Sequence, residues 1–267
     1  MNSSELERYF ARIGYTGSTA PRLDVLHALT AAHTQHIPFE NLAVLLGQRI
    51  DLSTDATFDK LVTQRRGGYC FEQNGLFMRV LTALGFTVTP LSARARFGRT
   101  PGVLTTRTHL FLRVELDGVS WLTDVGFGGM SLTAALRFEL ELAQATPHEP
   151  RRIVREGDHY LQQAYLGDTW QDVCEFTGEQ MPEIDREVAN WYTSAHPTSH
   201  FRTGLLVARA AEGGRRFTLQ NNEFKLRDHT GAAQVRVIAS SEELLAVLLE
   251  YFGLPFPAGT RFGVAGL

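Results

Sequence analysis

Only two cysteines occur in 267 residues, Cys70 and Cys174. The first ends the run Arg66-Gly67-Gly68-Tyr69-Cys70 and is followed by Phe71-Glu72-Gln73-Asn74, which reads as a glycine turn entering a helix. A thiol in the first turn of a helix faces unpaired backbone N–H groups, whose partial positive charge favours thiolate over thiol. Gly67 and Gly68 let the backbone turn tightly and are expected to leave room for a substrate to reach the sulfur. This placement suits a nucleophile. It also suits a packed cysteine beside a glycine pair, and the rest of the chain has to separate the two readings.

Nucleophilic thiol chemistry requires a base for the thiol proton and a carboxylate or amide to fix the base. The segment from Arg107 to Asp124 supplies both. Asp117-Gly118 between two alternating apolar runs signals a two-residue hairpin turn. With that turn Leu116 opposes Val119 and, counting back, Phe111 opposes Asp124. His109 then shares a sheet face with Phe111 and Asp124. As diagonal cross-strand neighbours, His109 and Asp124 have backbones about 7–8 Å apart, a gap their side chains can bridge. A three-residue loop would turn one strand over and separate them, leaving a surface histidine and a loop aspartate. Cys70, His109 and Asp124 are thus the candidate nucleophile, base and orienting carboxylate.

Asp124 opens Asp124-Val125-Gly126-Phe127-Gly128-Gly129-Met130. Its glycines are expected to present backbone N–H groups to an anion, either a phosphate or the oxygen of a tetrahedral intermediate. The lysine of a nucleotide P-loop is missing. Phe127, set among glycines, suits a wall for a flat apolar substrate. His33 and His36 lie three apart on a helix without an obvious third ligand, so capping or surface roles are expected and no metal.

The elements that must position these groups fall in a simple order. Helices are expected at Glu5–Ile13, Pro21–His36 with the proline in the first turn, Thr57–Arg65 and Cys70–Leu84, with Gly85 as the stop. Short alternating runs follow at Thr87–Phe97, His109–Leu116, Val119–Val125, Arg151–Arg155 and Tyr160–Phe176, a sheet or small barrel. A helix at Pro182–Ser194, strands at Phe201–Ala208 and Arg216–Lys225, and an amphipathic helix at Ser241–Tyr251 complete an α+β chain with boundaries near 86 and 190.

Composition narrows the class. With 43% apolar and 21% charged residues the chain can bury a core unaided. A net charge of -3 and the lack of Lys/Arg runs argue against a nucleic-acid partner. The N-terminus lacks the basic and apolar regions of a signal peptide, and no run approaches the roughly 18 apolar residues of a membrane span. A cytoplasmic protein with no membrane partner and two free thiols is expected.

Taken together, these residues resemble the arylamine N-acetyltransferases. Arg66-Gly67-Gly68-Tyr69-Cys70-Phe71-Glu72 is similar to the family's nucleophile motif and Ile37-Pro38-Phe39-Glu40-Asn41-Leu42 to its N-terminal signature. Thr108-His109-Leu110 and Asp124-Val125-Gly126-Phe127-Gly128 are similar to its His and Asp motifs. The likeness runs in order over nearly the whole chain. It implies a helical bundle carrying the nucleophile (1–85), an antiparallel β-barrel carrying His and Asp (86–190) and a C-terminal α/β lid (191–267), around a cysteine-protease-like Cys-His-Asp core. It also implies ping-pong transfer from acetyl-CoA through acetyl-Cys70 to an arylamine or hydrazine.

By the same resemblance, Phe39, Tyr69 and Phe127 line the acceptor pocket, while Thr105, Thr106, Gly126 and Gly128 lie near the acetyl donor. Phe201 and His229 are assigned to CoA by relative position. Arg66, Glu40 and Asn41 brace the active-site loop, and the protein is a monomer or homodimer. Three other readings share some of these residues: a papain- or transglutaminase-like hydrolase, an acyltransferase closing amides in natural-product assembly, and a binding module without catalysis.

Overall fold

The Asp117-Gly118 turn fixes the geometry on which everything else depends. In the computed structural model, which describes residues 1–100 and 102–264, Asp117 and Gly118 take φ 51° and 75°. Two consecutive left-handed residues match the right-handed twist of the flanking strands. Strands β3 (His109–Leu116) and β4 (Val119–Thr123) pair antiparallel in the expected register, Leu116 opposite Val119 and Leu112 opposite Thr123.

Ahead of this hairpin come α1 (Ser3–Ile13), α2 (Leu23–His36), β1 (Phe39–Glu40), α3 (Leu42–Leu45), α4 (Thr54–Phe58) and α5 (Cys70–Ala83), then strand β2 (Thr87–Ala95). Asn2 and Glu5 cap α1 reciprocally. Helix α2 starts at Leu23 because Arg22 is extended at φ -127°, ψ 158°, so Pro21 precedes the helix. The helix expected at Thr57–Arg65 begins earlier, with Ser53 accepting from the Ala56 N–H, and passes into a π-helical turn at Asp59–Thr63.

The central sheet continues with β5 (Leu136–Arg137), β6 (Arg151–Glu156), β7 (His159–Leu166) and β8 (Thr169–Phe176). Its seven strands run in the order β5-β4-β3-β2-β8-β7-β6. Bridges from Leu140 to Ile153 and from Gln144 to Arg151 bring the two edges together in a nearly closed barrel. The single run expected over Tyr160–Phe176 is two strands, because Gly167-Asp168, with φ 53° and 66°, closes a second tight hairpin.

After α6 (Glu183–Ala195), which runs unbroken across residue 190, come β9 (Leu206–Ala210), β10 (Arg216–Gln220), β11 (Glu223–Arg227), β12 (Ala233–Val237) and α7 (Ser241–Phe252). The strand expected from Phe201 is a 3-10 turn at His200–Arg202, with β9 starting only at Leu206. The run Arg216–Lys225 splits at Asn221, φ 53°. A five-stranded sheet, β1-β9-β10-β11-β12, therefore takes its first strand from the N-terminal third. The last three positions of the 191–267 range lie outside the described residues.

One apolar core joins the helices to the barrel through Leu76, Phe77, Val80, Leu112 and Val114. A second packs Leu244, Leu248 and Phe252 of α7 against Phe217 and Phe224. Gly67 shows how tightly the nucleophile loop is held between them: a Cβ there would stand 2.1 Å from the Pro38 carbonyl oxygen. The backbone on both sides is bonded, so Gly67→Ala is expected to cost about 1–3 kcal/mol through overpacking. A wild-type midpoint in thermal unfolding would contradict this.

Candidate active site

Cys70 is the first residue of α5, preceded by extended Tyr69. The Tyr69 N–H donates to Glu72 Oε2 at 3.1 Å, the reach-back half of a capping box. Gly68 owes its identity to this carboxylate, since a Cβ there would lie 2.6 Å from Glu72 Oε2. The glycine pair thus makes room for Pro38 and Glu72 of the chain itself, which corrects the expectation that it clears a path for substrate. The Cys70 thiol donates to the Thr108 carbonyl at 3.7 Å, which seats the sulfur beside the start of β3.

His109 Nε2 and Asp124 Oδ2 are 2.6 Å apart, and both residues are buried. Burial works against protonation of His109, yet the Asp124 charge and hydrogen bond, reinforced by the nearby Cys70, outweigh it and raise the imidazole to about 10. The structure therefore pairs His109 with Asp124 and seats the Cys70 sulfur against the carbonyl of Thr108, the residue before His109.

Asp124 is fixed by groups that carry no motif signal. Its Oδ1 accepts from Asn74 Nδ2 at 2.9 Å and from the Gly126 N–H at 3.0 Å. Asn74 also donates to the Leu110 carbonyl at 2.7 Å and accepts from the Val125 N–H at 3.0 Å. One buried amide on the nucleophile helix thus aligns β3 with the Asp124 loop. Gln73 does the same for the glycine turn, donating to Pro38 O at 2.9 Å and Gly68 O at 3.1 Å. Its Oε1 accepts from His33 Nε2 at 2.7 Å, which leaves His33 Nδ1 to accept from Tyr9 at 2.8 Å. His33 is therefore a buried, neutral link, lowered by burial to about 3, and the expected surface or capping role holds only for exposed His36.

The glycine loop is organised differently from expectation. The Gly126 N–H serves Asp124, and the Gly128 N–H donates to Ser131 Oγ at 2.9 Å, so neither is free for an anion. Gly126 permits close approach instead, because a Cβ there would stand 2.6 Å from Cys70 Cα. The half-buried Phe127 ring meets the His109 ring edge-on at 5.0 Å. Phe39 is half-buried, packs 6.1 Å from Phe201, and faces Gly128. Tyr69 is fully buried and donates to Asn190 Oδ1, so it stands behind these walls.

Of the residues assigned to the donor, Phe201 joins the aromatic cluster, 5.4 Å from Tyr69. Thr105 Oγ1 donates to the Ala95 carbonyl at 3.0 Å, and the Thr106 and Thr108 hydroxyls are 2.9 Å apart. His229 is exposed on the turn between β11 and β12, its Cβ facing Gly214. A cleft of about 410 Å³ opens beside Thr108, lined also by Thr106, Met181, Val188 and Tyr192. A larger one, about 780 Å³, runs between residues 47–53 and α6 and includes none of Cys70, His109 and Asp124.

Glu40 holds Arg66 at 2.7 Å. Burial opposes its charge, but Lys60 and Arg66 prevail and keep the carboxyl below its usual range. Asn41 does not join this pair. It donates to Phe201 O at 2.8 Å and Gly204 O at 2.7 Å, bracing the chain before β9. Among the described residues no group of three or more His, Cys, Asp or Glu is placed to hold a metal ion, and no helix is long and apolar enough to cross a membrane.

Cys174 lies buried on β8, where burial first and the Asp124 charge second push its thiol well up. Alkylation at neutral pH is expected to label Cys70 and spare Cys174, and Cys174→Ala is expected to keep full turnover. A stable but inactive Cys174→Ala protein would reassign the nucleophile.

A family model described as N-acetyltransferase matches residues 22–260. The arylamine N-acetyltransferase of Escherichia coli strain K12 is 42% identical over 249 residues, covering 93% of this chain and 88% of its own. The structure of the Mycobacterium marinum arylamine N-acetyltransferase in complex with CoA matches with a TM-score of 0.91 at 39% identity, covering 98% of this chain and 97% of that one. The proansamycin X synthase of Amycolatopsis mediterranei is 32% identical over 255 residues, 93% of this chain and 96% of its own. With the Cys70 motif, the His109 and Asp124 pairing and the barrel in place, the chain belongs to the arylamine N-acetyltransferase family.

Proposed function

We propose that this protein transfers acetyl groups from acetyl-CoA to arylamines or hydrazines through an acetyl-cysteine on Cys70. The observation that supports the reading is the buried His109–Asp124 pair, 2.6 Å apart, with the Cys70 sulfur against the carbonyl of Thr108, the residue before His109. His109 takes the thiol proton, Asp124 orients and stabilises the imidazolium, and the sulfur attacks the thioester carbonyl. The new S–C bond forms as the bond to the CoA sulfur breaks, and CoA leaves with the proton from His109. The amine then attacks the acetyl-cysteine, its N–C bond replaces the S–C bond, and its proton passes to His109 and back to the thiolate.

Phe39 and Phe127 are the proposed acceptor walls, with Tyr69 backing them. Thr105, Thr106, Gly126, Gly128, Phe201 and His229 are the proposed donor side. The three-unit reading, 1–85, 86–190 and 191–267, a cysteine-protease-like core and a cytoplasmic monomer or homodimer belong to the same proposal.

Intact mass after mixing with acetyl-CoA tests it. One acetyl adduct, discharged by an arylamine and stable without one, is the expected result. Discharge by water alone at the same rate would point to a hydrolase, and no adduct on a folded protein would reject acyl transfer. The likeness to the proansamycin X synthase favours a second reading, amide closure within a larger acyl substrate. An adduct that aryl amines fail to discharge would select it.

A further inference from the structure

Behind the loop that carries Phe127 lies a second group of buried charges. Glu149 accepts from three guanidiniums: Arg151 Nη2, Arg216 through Nε at 3.0 Å and Nη2 at 2.6 Å, and Arg227 Nη2 at 3.3 Å. Arg151 opens β6, Arg216 opens β10 and Arg227 ends β11, so the cluster ties the barrel to the five-stranded sheet. Two of the arginines also hold the loop itself. Arg151 Nη2 donates to the Met130 carbonyl at 2.8 Å and Arg216 Nη2 to the Ser131 carbonyl at 3.0 Å.

The charge in this cluster does not balance. Among the described residues Glu149 is the only acid within salt-bridge distance of the three arginines, which leaves two positive charges over. The Arg151 and Arg216 side chains are 1% and 2% exposed and that of Arg227 is 18%. Arg151 Nη1 and Arg216 Nη1 are buried donors without a hydrogen-bond partner among the described residues. Burying a cation is costly unless it is paired, and an unmade bond to a charged donor adds to that cost. Burial and the neighbouring guanidiniums bring Arg227 down to about 10 in spite of Glu149.

We propose that Arg151, Arg216 and Arg227 bind a small inorganic anion, a halide in size and charge, that supplies the missing acceptor and counter-charge. The burial of Arg151 and Arg216 favours a small ion over a nucleotide, and Arg227 is the one of the three that reaches solvent. Because the same guanidiniums hold Met130 and Ser131, the ion would stiffen the loop running from Asp124 to Ser131. This inference stands apart from the transfer reaction and is tested without it.

Crystals grown in sodium bromide are expected to show an anomalous peak within hydrogen-bond distance of Arg151 Nη1 and Arg216 Nη1. In solution the unfolding midpoint should be higher in chloride or bromide than in methanesulfonate at equal ionic strength, by roughly 3–6 °C at saturating halide. Arg227→Gln should shrink that difference. A crystal with no bromide peak at the cluster overturns the site, and so does a halide effect that Arg227→Gln leaves unchanged.

Discussion

Cys70→Ala is expected to fold as the wild type does, to form no acetyl adduct and to lose turnover below detection. The sulfur is one of a set of apolar contacts with Tyr69, Phe71, Leu110 and Met181, and its one polar contact is the long bond to Thr108 O. Alanine suits the first turn of a helix, so the change in stability should stay near 1 kcal/mol. The chemistry has no substitute. Cys174 is buried on β8, and Gln162 Oε1, at 4.0 Å, is the only hydrogen-bond partner of its thiol among the described residues. Thermal unfolding, intact mass and a single-turnover assay on the same preparation separate the outcomes. An adduct on Cys70→Ala protein would place the nucleophile elsewhere and end the reading.

The residues behind this expectation differ in how far they announce themselves. Asp117-Gly118 names its turn type through two left-handed positions, and that turn alone sets which face His109 and Asp124 share. The hairpin was legible because its register is local. Asn74 and Gln73 lie on a helix whose pattern gives polar residues no address, and all their partners but Gly68 are 35 to 51 residues away. Only packing of α5 against β3 and the Pro38 carbonyl shows what they bond. Strand β1 was invisible for a similar reason, since two residues, Phe39 and Glu40, become a strand only by pairing with Ala208 and Val207.

Where the reading of a motif erred, it assigned to substrate what the chain uses for itself. Gly67, Gly68 and Gly126 each admit a neighbouring atom of the protein, and the N–H groups of Gly126 and Gly128 are bonded within the loop. Tyr69 sits in the nucleophile motif, is buried and hydrogen-bonds Asn190. A glycine signals close approach without saying by what. An aromatic residue beside a nucleophile signals packing as readily as recognition.

Asp124→Asn is the sharper test of how His109 works. The carboxylate accepts from three groups at once: His109, Asn74 Nδ2 and the Gly126 N–H. An amide keeps the size but presents two N–H groups where only acceptors are needed, so at least one of these bonds is lost or the imidazole takes the other tautomer. Turnover should fall by about 10³–10⁴, as for the corresponding change in hydrolytic triads. Folding separates this from simple disruption. In the wild type, His109 is raised from its ordinary value near 6.5 to about 10, so its stabilising contribution is complete below about pH 6.5 and is lost as pH rises through about 10. The proton taken from Cys70 offsets this while the unfolded thiol still keeps its own, so the loss of stability, up to about 1.4 kcal/mol per pH unit, is steepest between about pH 8.5 and 10. Asp124→Asn removes the charge that raises His109, so the variant's stability should vary less with pH across the same window. The two proteins should differ most at pH 6 and converge towards pH 10. A constant difference over that range would mean that Asp124 only fills space, and the Cys-His-Asp reading would lose its third member.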